Sequence, residues 1–343
     1  MKRKILFLLL IWMLLSVNLF AENKQEPLYK AFNEQFKKDY LSVGMLMQFV
    51  FDHQQDRIFP GNNGFSVANM RFKLNGHLDK GFGYVFQAKL DKSPAILDAY
   101  MSHKIHHLLK LTIGQKKAPV SAEYQISAAG IDFVNRSRVV TKLTPGRQIG
   151  LQLSGESRNE KLRYIVGLSN GNGTSASNDD NDYMISGRIE LQSVNKTKDV
   201  RFIFGMNGAY SEDGNVTLLD GNMPNFEGKR SITGADFRLN YKDWLLAAEY
   251  LMARLEHQAA PTWEPSGYYV TAGYMIKENV HALIRLDTYD PDGSGGISSN
   301  SWIVTGLNFW PTSVSELQVN YIIDTDNSDI KNHQILINVQ IAL

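Results

Sequence analysis

The residues able to do chemistry in this chain are charged ones interleaved with apolar ones. Arg188 and Glu190 flank Ile189, Arg285 and Asp287 flank Leu286, and Arg201 stands between Val200 and Phe202. In an extended chain, residues two apart share a face, so each run carries charge on one side and hydrocarbon on the other. The same parity gathers Arg71, Lys73, Lys89, Lys110, Arg163, Arg188, Arg201, Arg238 and Arg285 on polar faces, together with Asp98, Glu190, Asp236 and Asp287. That excess of bases over acids would raise the anion concentration in any enclosed space they line. For each residue taken singly, bracing an inner wall is an equally open role, and the spacing of Arg285 and Asp287 suits mutual neutralisation.

Constellations for covalent or metal chemistry are poor. There is no cysteine, which removes disulfides and cysteine metal sites. His103, His106 and His107 cluster, but in a stretch that reads as a polar turn. Asp290, Asp292 and Gly293 in DPDGSGG, and NDDND from Asn178 to Asp182, are fragments of calcium loops without the trailing glutamate. Ser169 or Ser186 with His281 is the one pairing that a membrane hydrolase could use, and nothing singles it out. No metal, cofactor or enzymatic activity is expected, and the near-balanced charge argues against nucleic acid as a partner.

The elements that must position these charges are strands. About sixteen runs of roughly 8 to 12 residues follow Tyr40, each alternating with period two. Leu162, Tyr164, Val166 and Leu168 oppose Arg163, Ile165, Gly167 and Ser169, while Val200, Phe202, Phe204 and Met206 oppose Arg201, Ile203, Gly205 and Asn207. Ile165, Ile203 and Leu283 are apolar residues on the polar set. Tight turns, as at Lys242–Asp243, interleave with longer connections at 52–64, 115–146, 171–181, 211–230, 252–266 and 290–300. Alternating turn and loop is what an up-and-down barrel needs when its ends face different compartments. A soluble β-sandwich is the rival reading, but it gives no reason for that alternation or for glycine and charge opposite the apolar face. The fold class expected is all-β, a transmembrane antiparallel barrel of about 16 strands whose apolar positions face outer-membrane lipid. A basic group placed at mid-depth on that face would cost about 2–4 kcal/mol, which enforces the register.

The first residues assign the compartment. Lys2, Arg3 and Lys4 precede an apolar run from Ile5 to Leu15, and a polar segment begins at Glu22. This is a secretory leader, with cleavage expected after Ala21, since the core is short for a membrane helix. Losing the leader's three bases turns the formal net charge of +1 slightly negative. The organisation expected is a signal peptide at 1–21, a periplasmic segment at 22–40 and a barrel at 41–343. The connection 115–146, at about thirty residues, is longer than a simple cap requires. It carries Lys116, Lys117, Arg136, Arg138 and Lys142, and its composition suits an external loop and an inward-folded one equally.

The local motifs add a resemblance. MRFKLNGHLDKGFGYVFQAKL (Met70–Leu90), LTIGQKKAPVSAEY (Leu111–Tyr124), DFVNRSRV (Asp132–Val139), LTPGRQIGLQLSG (Leu143–Gly155) and LNFWPTSVSELQVNYIID (Leu307–Asp324) occur in order. Together the chain resembles the phosphate-selective porin O/P family of Gram-negative outer membranes. The resemblance implies a sixteen-stranded barrel, commonly a homotrimer, with an inward-folded third loop and passive diffusion of small hydrophilic solutes, anions or phosphate foremost. Carried over residue by residue, the constriction would hold Lys116, Lys117, Arg136 and Arg138, with Arg147 opening the next strand. Two departures stand out: the family's stacked ladder of arginines and lysines is not evident, and the chain ends in Leu343 where an aromatic residue is usual. A structural or adhesive barrel closed by its loops is the alternative function.

Overall fold

Sixteen antiparallel strands close on themselves, each paired with its neighbour in sequence and the first paired with the last. The computed structural model describes residues 33–57, 63–91, 93–195, 199–257, 260–293, 300–327 and 329–343. The leader and most of the 22–40 segment lie outside these residues, and 33–36 form one helical turn. The strands are β1 (Ser42–Gln54), β2 (Gly64–His77), β3 (Phe82–Lys89), β4 (Ala95–His106), β5 (Leu109–Lys117), β6 (Arg147–Glu156), β7 (Leu162–Ser169) and β8 (Met184–Asn195). They continue as β9 (Val200–Leu218), β10 (Met223–Tyr241), β11 (Trp244–His257), β12 (Ser266–Lys277), β13 (Val280–Asp290), β14 (Asn300–Thr312), β15 (Ser315–Asp324) and β16 (Gln334–Ala342). Closure runs from Leu46 opposite Ala342 to Gln54 opposite Gln334, and Leu343 N donates to Met45 O at 2.9 Å. No open edge is left whose backbone groups would go unpaired in hydrocarbon.

The strand faces follow the alternation. On β8, Ile189 is 47% exposed while its neighbour Arg188 is 5% exposed. Phe86, Met101, Ile113, Leu191 and Met206 likewise present their side chains outward. Aromatic residues bracket this belt. Trp244 pairs with Tyr274 near the turn end of β11 and β12, Tyr250 pairs with Tyr268 towards the other end, and all four are exposed. Leu246, Ala248, Val270 and Ala272 lie between them, the pattern of interfacial girdles around an apolar band.

Inward glycines make room for what the interior holds. A Cβ on Gly205 would collide with the Arg188 guanidinium, and one on Gly306 would lie 3.0 Å from the Phe133 ring. The apolar residues on the polar set also have work there: Leu283 packs in a buried cluster with Phe133, Leu245, Ala247, Val304 and Leu336.

Of two connections read as loops, 211–230 is largely strand and 252–266 partly so. Residues 211–230 continue β9 and β10 as a tall hairpin that turns at Leu219–Gly221, and β11 runs on to His257, where Leu255 bridges Trp263. The alternation persists in the hairpin but its sense is reversed. Val216, Leu218, Phe226 and Ile232 are buried on the inside, in one cluster with Val139, Val140 and Leu143. Above the lipid belt the outer face meets water, so the apolar side turns inward.

Candidate functional site

The connection between β5 and β6 folds inside the barrel and is tied to the inner wall along its length. Two short helices organise it, α1 (Ala122–Gln125) and α2 (Arg138–Leu143), capped by the Ser121 and Ser137 hydroxyls. The Glu249 carboxylate of β11 accepts from Ala122 N at 2.8 Å and Glu123 N at 3.2 Å, satisfying the free amides that open α1. Glu123 in turn accepts from Ser137 N at 2.8 Å and from Arg285 Nη2 of β13 at 2.6 Å. The Arg285 guanidinium lies between the Phe133 and Tyr269 rings, 4.4 and 4.6 Å from their centroids. Asp132 takes both Nη atoms of Arg238 at 3.0 and 3.2 Å.

A rack of wall amides holds the middle of the loop by its backbone. Gln48 donates to Ala128 O, Gln340 to Ala129 O, Gln318 to Ile131 O and Asn308 to Asp132 O, while Val134 N donates to Asn320 Oδ1 at 2.8 Å. These amides come from β1, β14, β15 and β16 and are buried. At the far end, Lys142 reaches Leu219 O and Asp220 of the tall hairpin at 3.4 Å each.

With the loop bound to that side, a basic neck remains between it and β2 to β6. Arg71, Lys116, Lys117, Arg136 and Arg147 gather there around Asp98, which takes Arg147 Nε at 3.0 Å, while Asp91 and Glu123 act on Arg71 and Arg136 from beyond ion-pair distance. Lys117 Nζ is held by the carbonyls of Tyr124 and Ile126 at 2.5 and 2.8 Å, and Lys116 lies over the Tyr100 ring. Arg136 stacks on Tyr124, 5.6 Å from the ring centroid. Among the described residues, neither Arg71 nor Arg136 has an acid within ion-pair distance. Burial raises the Tyr124 phenol above its usual value, keeping it a neutral donor, and lowers the Arg136 guanidinium, which stays charged at neutral pH. Arg71 lines both a cavity of about 770 Å³ on the long-loop side and one of about 360 Å³ beyond it, so it stands at their junction.

The sequence-derived residues separate into two groups. Lys116, Lys117 and Arg136 meet at the neck, joined by Arg71, and Lys73 lines the smaller cavity. Arg138 does not join them: its backbone N and side chain engage Asp287, its guanidinium bonds Asn300 and stacks 4.1 Å from the Trp302 ring centroid, though it still borders the larger cavity. Arg285 and Asp287, spaced for each other, find other principal partners in Glu123 and Arg138. Arg188 is clamped between Asp236 and Glu190, Arg238 by Asp132, Arg163 by Glu156 and Lys89 by Asp91. Lys110 borders a third cavity at the short-turn end together with His77, His106 and His107, and Arg201 is exposed near the start of β9. Ser169 and Ser186 lie on β7 and β8, not on strands beside His281 of β13. The Asp290 carboxylate receives Asp292 N and Gly293 N, and Asn178 receives Asp180 N and Asn181 N; both are local turns. Sequence reasoning did not single out Tyr124, Glu249 or the wall amides. Their signal is a polar residue at an inward position that is neither glycine nor base.

A closed sixteen-stranded antiparallel barrel with its β5–β6 loop bonded to the inner wall defines the porin class of fold. The chain belongs to the family described as phosphate-selective porin O and P, whose model matches residues 44–341, and it is an outer-membrane channel protein. No curated protein sequence matches it. Solved structures share the fold at low identity. The anion-selective porin from Comamonas acidovorans superposes with a TM-score of 0.63 at 10% identity, covering 88% of this chain and 99% of that one. In vitro folded OmpT of Vibrio cholerae, in its trimer form, gives 0.58 at 10% identity with coverage of 88% and 99%. OmpF of Salmonella typhi in complex with daunomycin gives 0.57 at 11%, covering 88% and 97%.

Proposed function

We propose that this porin passes small hydrophilic solutes by diffusion and prefers anions at the neck between the inward loop and β2 to β6. The reading is carried by five bases that outnumber the acids acting on them, Asp98, Asp91 and Glu123, because a narrow passage with low-dielectric walls focuses their net field on the permeating ion. Lys116, Lys117, Arg136 and Arg71 supply the attraction, and Arg147 adds less because its pair with Asp98 offsets part of its charge. Arg138 contributes chiefly to holding the loop. No covalent step is needed, since width and field do the selecting. Inorganic phosphate is one permeant anion among several, in keeping with the family's name. The leader is removed after Ala21 in the periplasm, short turns stay on that side, and three copies assemble in the membrane, as the trimer form named for the Vibrio OmpT suggests.

Recording single channels in planar bilayers across a potassium chloride gradient tests this. Discrete conductance steps with a zero-current potential on the chloride side are expected. Steps without anion preference would remove the role given to the basic neck.

A further inference from the structure

The larger cavity is not walled by charge alone. On the long-loop side of the neck, Arg71 and Arg136 share it with Tyr124, Val134, Pro145 and Trp302, and these four apolar or aromatic side chains are only partly buried. We infer that this chamber is a binding site for organic monocarboxylates with an aromatic or branched apolar body; the inference rests on the anion-preferring neck proposed above.

The donors suit a carboxylate. Arg71 uses Nε and Nη2 on Asn69 Oδ1 at 2.9 and 2.6 Å. Arg136 uses Nε on Glu123 O at 3.2 Å and Nη2 on Ile126 O at 2.7 Å. These bonds fix both planes yet leave each Nη1 amino group without an intramolecular acceptor among the described residues. A carboxylate satisfies such donors with good geometry. The walls suit the remainder of the ligand. The Trp302 ring is held by Arg138 on one face, Val134 is fixed through its backbone by Asn320, and Pro145 is rigid. Their apolar surface is thus arranged before a ligand arrives, so little ordering is required on binding. A small, strongly hydrated anion gains nothing from these walls, whereas an apolar body loses water against them.

The test compares block of single-channel chloride current by benzoate and by acetate, which share the carboxylate and differ in the body, with inorganic phosphate as a third probe. Benzoate should half-block at a concentration about tenfold or more below acetate, and below phosphate. Trp302→Ala and Val134→Asn should each bring the benzoate-to-acetate ratio towards one; two variants are used so that a disturbance of the loop by one of them does not decide the outcome. Equal block by benzoate and acetate in a channel that still prefers chloride would overturn this inference and leave the proposed function standing. Phosphate blocking more strongly than benzoate, or an unchanged ratio in both variants, would also overturn it. A channel with no anion preference would take both readings away.

Discussion

Arg285 of β13 and Glu123 of the inward loop meet at 2.6 Å, 162 positions apart in the chain and both buried. Neither charge is available to a permeating ion. Glu123 also receives Ser137 N, so one carboxylate links the two helical turns of the loop to the wall. The loop's place inside the barrel is therefore a matter of satisfied polar groups as much as of apolar packing. Removing any partner leaves a buried group without compensation.

Glu123→Gln should retain an acceptor for Ser137 N while leaving Arg285 as an unpaired buried cation. Breaking one side of a buried pair costs about 3–5 kcal/mol. Urea unfolding of the protein in lipid vesicles should show a lower midpoint, and single-channel traces should become noisier as the loop detaches. Unaltered traces and stability would mean that Glu123 does not hold the loop.

The amide rack makes a smaller and separable prediction. Asn320→Leu removes the acceptor of Val134 N, an unmet hydrogen bond that costs on the order of 1 kcal/mol. A midpoint shift well below that of Glu123→Gln is expected, with the zero-current potential unchanged because no charge is lost.

Arg136 and Arg138 are two residues apart, yet they should behave differently. Neutralising Arg136 removes a guanidinium without an ion-pair partner from the neck. At a separation of several ångströms in water, this is worth about 0.5–1 kcal/mol, or roughly two- to fivefold in local anion concentration. Arg136→Gln should therefore move the zero-current potential away from the chloride side, and the shift should shrink near 1 M salt, where the screening length is about 3 Å. Arg138→Gln should move it little and reduce stability instead, since Asp287 would lose its ion pair. Equal shifts from both variants would contradict the division drawn here.

Which of these roles could be read from sequence follows from the range of the signal. The face on which Arg163, Arg188 or Arg285 lies is set by its immediate neighbours, and period two exposes it. The partner that takes each charge depends on register and on where the loop lands. The backbone N of Arg138 finds Asp287 149 positions away, and no local pattern carries that distance. The β9–β10 hairpin was hidden for another reason. A rule that seeks apolar residues outside fails where the strand rises above lipid and Val216, Leu218 and Phe226 turn inward. Similarly, Leu283 reads as an error in the alternation until Phe133 is seen to pack with it.

The face assignment itself is tested by two isoleucines. Ile189 of β8 points outward and is well exposed, whereas Ile203 of β9 lies on the inward set, opposite Gln192 and Arg238. Lysine at a lipid-facing position near mid-depth costs about 2–4 kcal/mol, whereas lumen positions reach water. Ile189→Lys should thus lower the folding free energy in phospholipid vesicles by that amount. Ile203→Lys should cost less than about 1 kcal/mol and add a basic group to the passage, moving the zero-current potential further to the chloride side. The opposite ranking, with Ile203→Lys the more destabilising, would mean that the apolar set does not face the membrane.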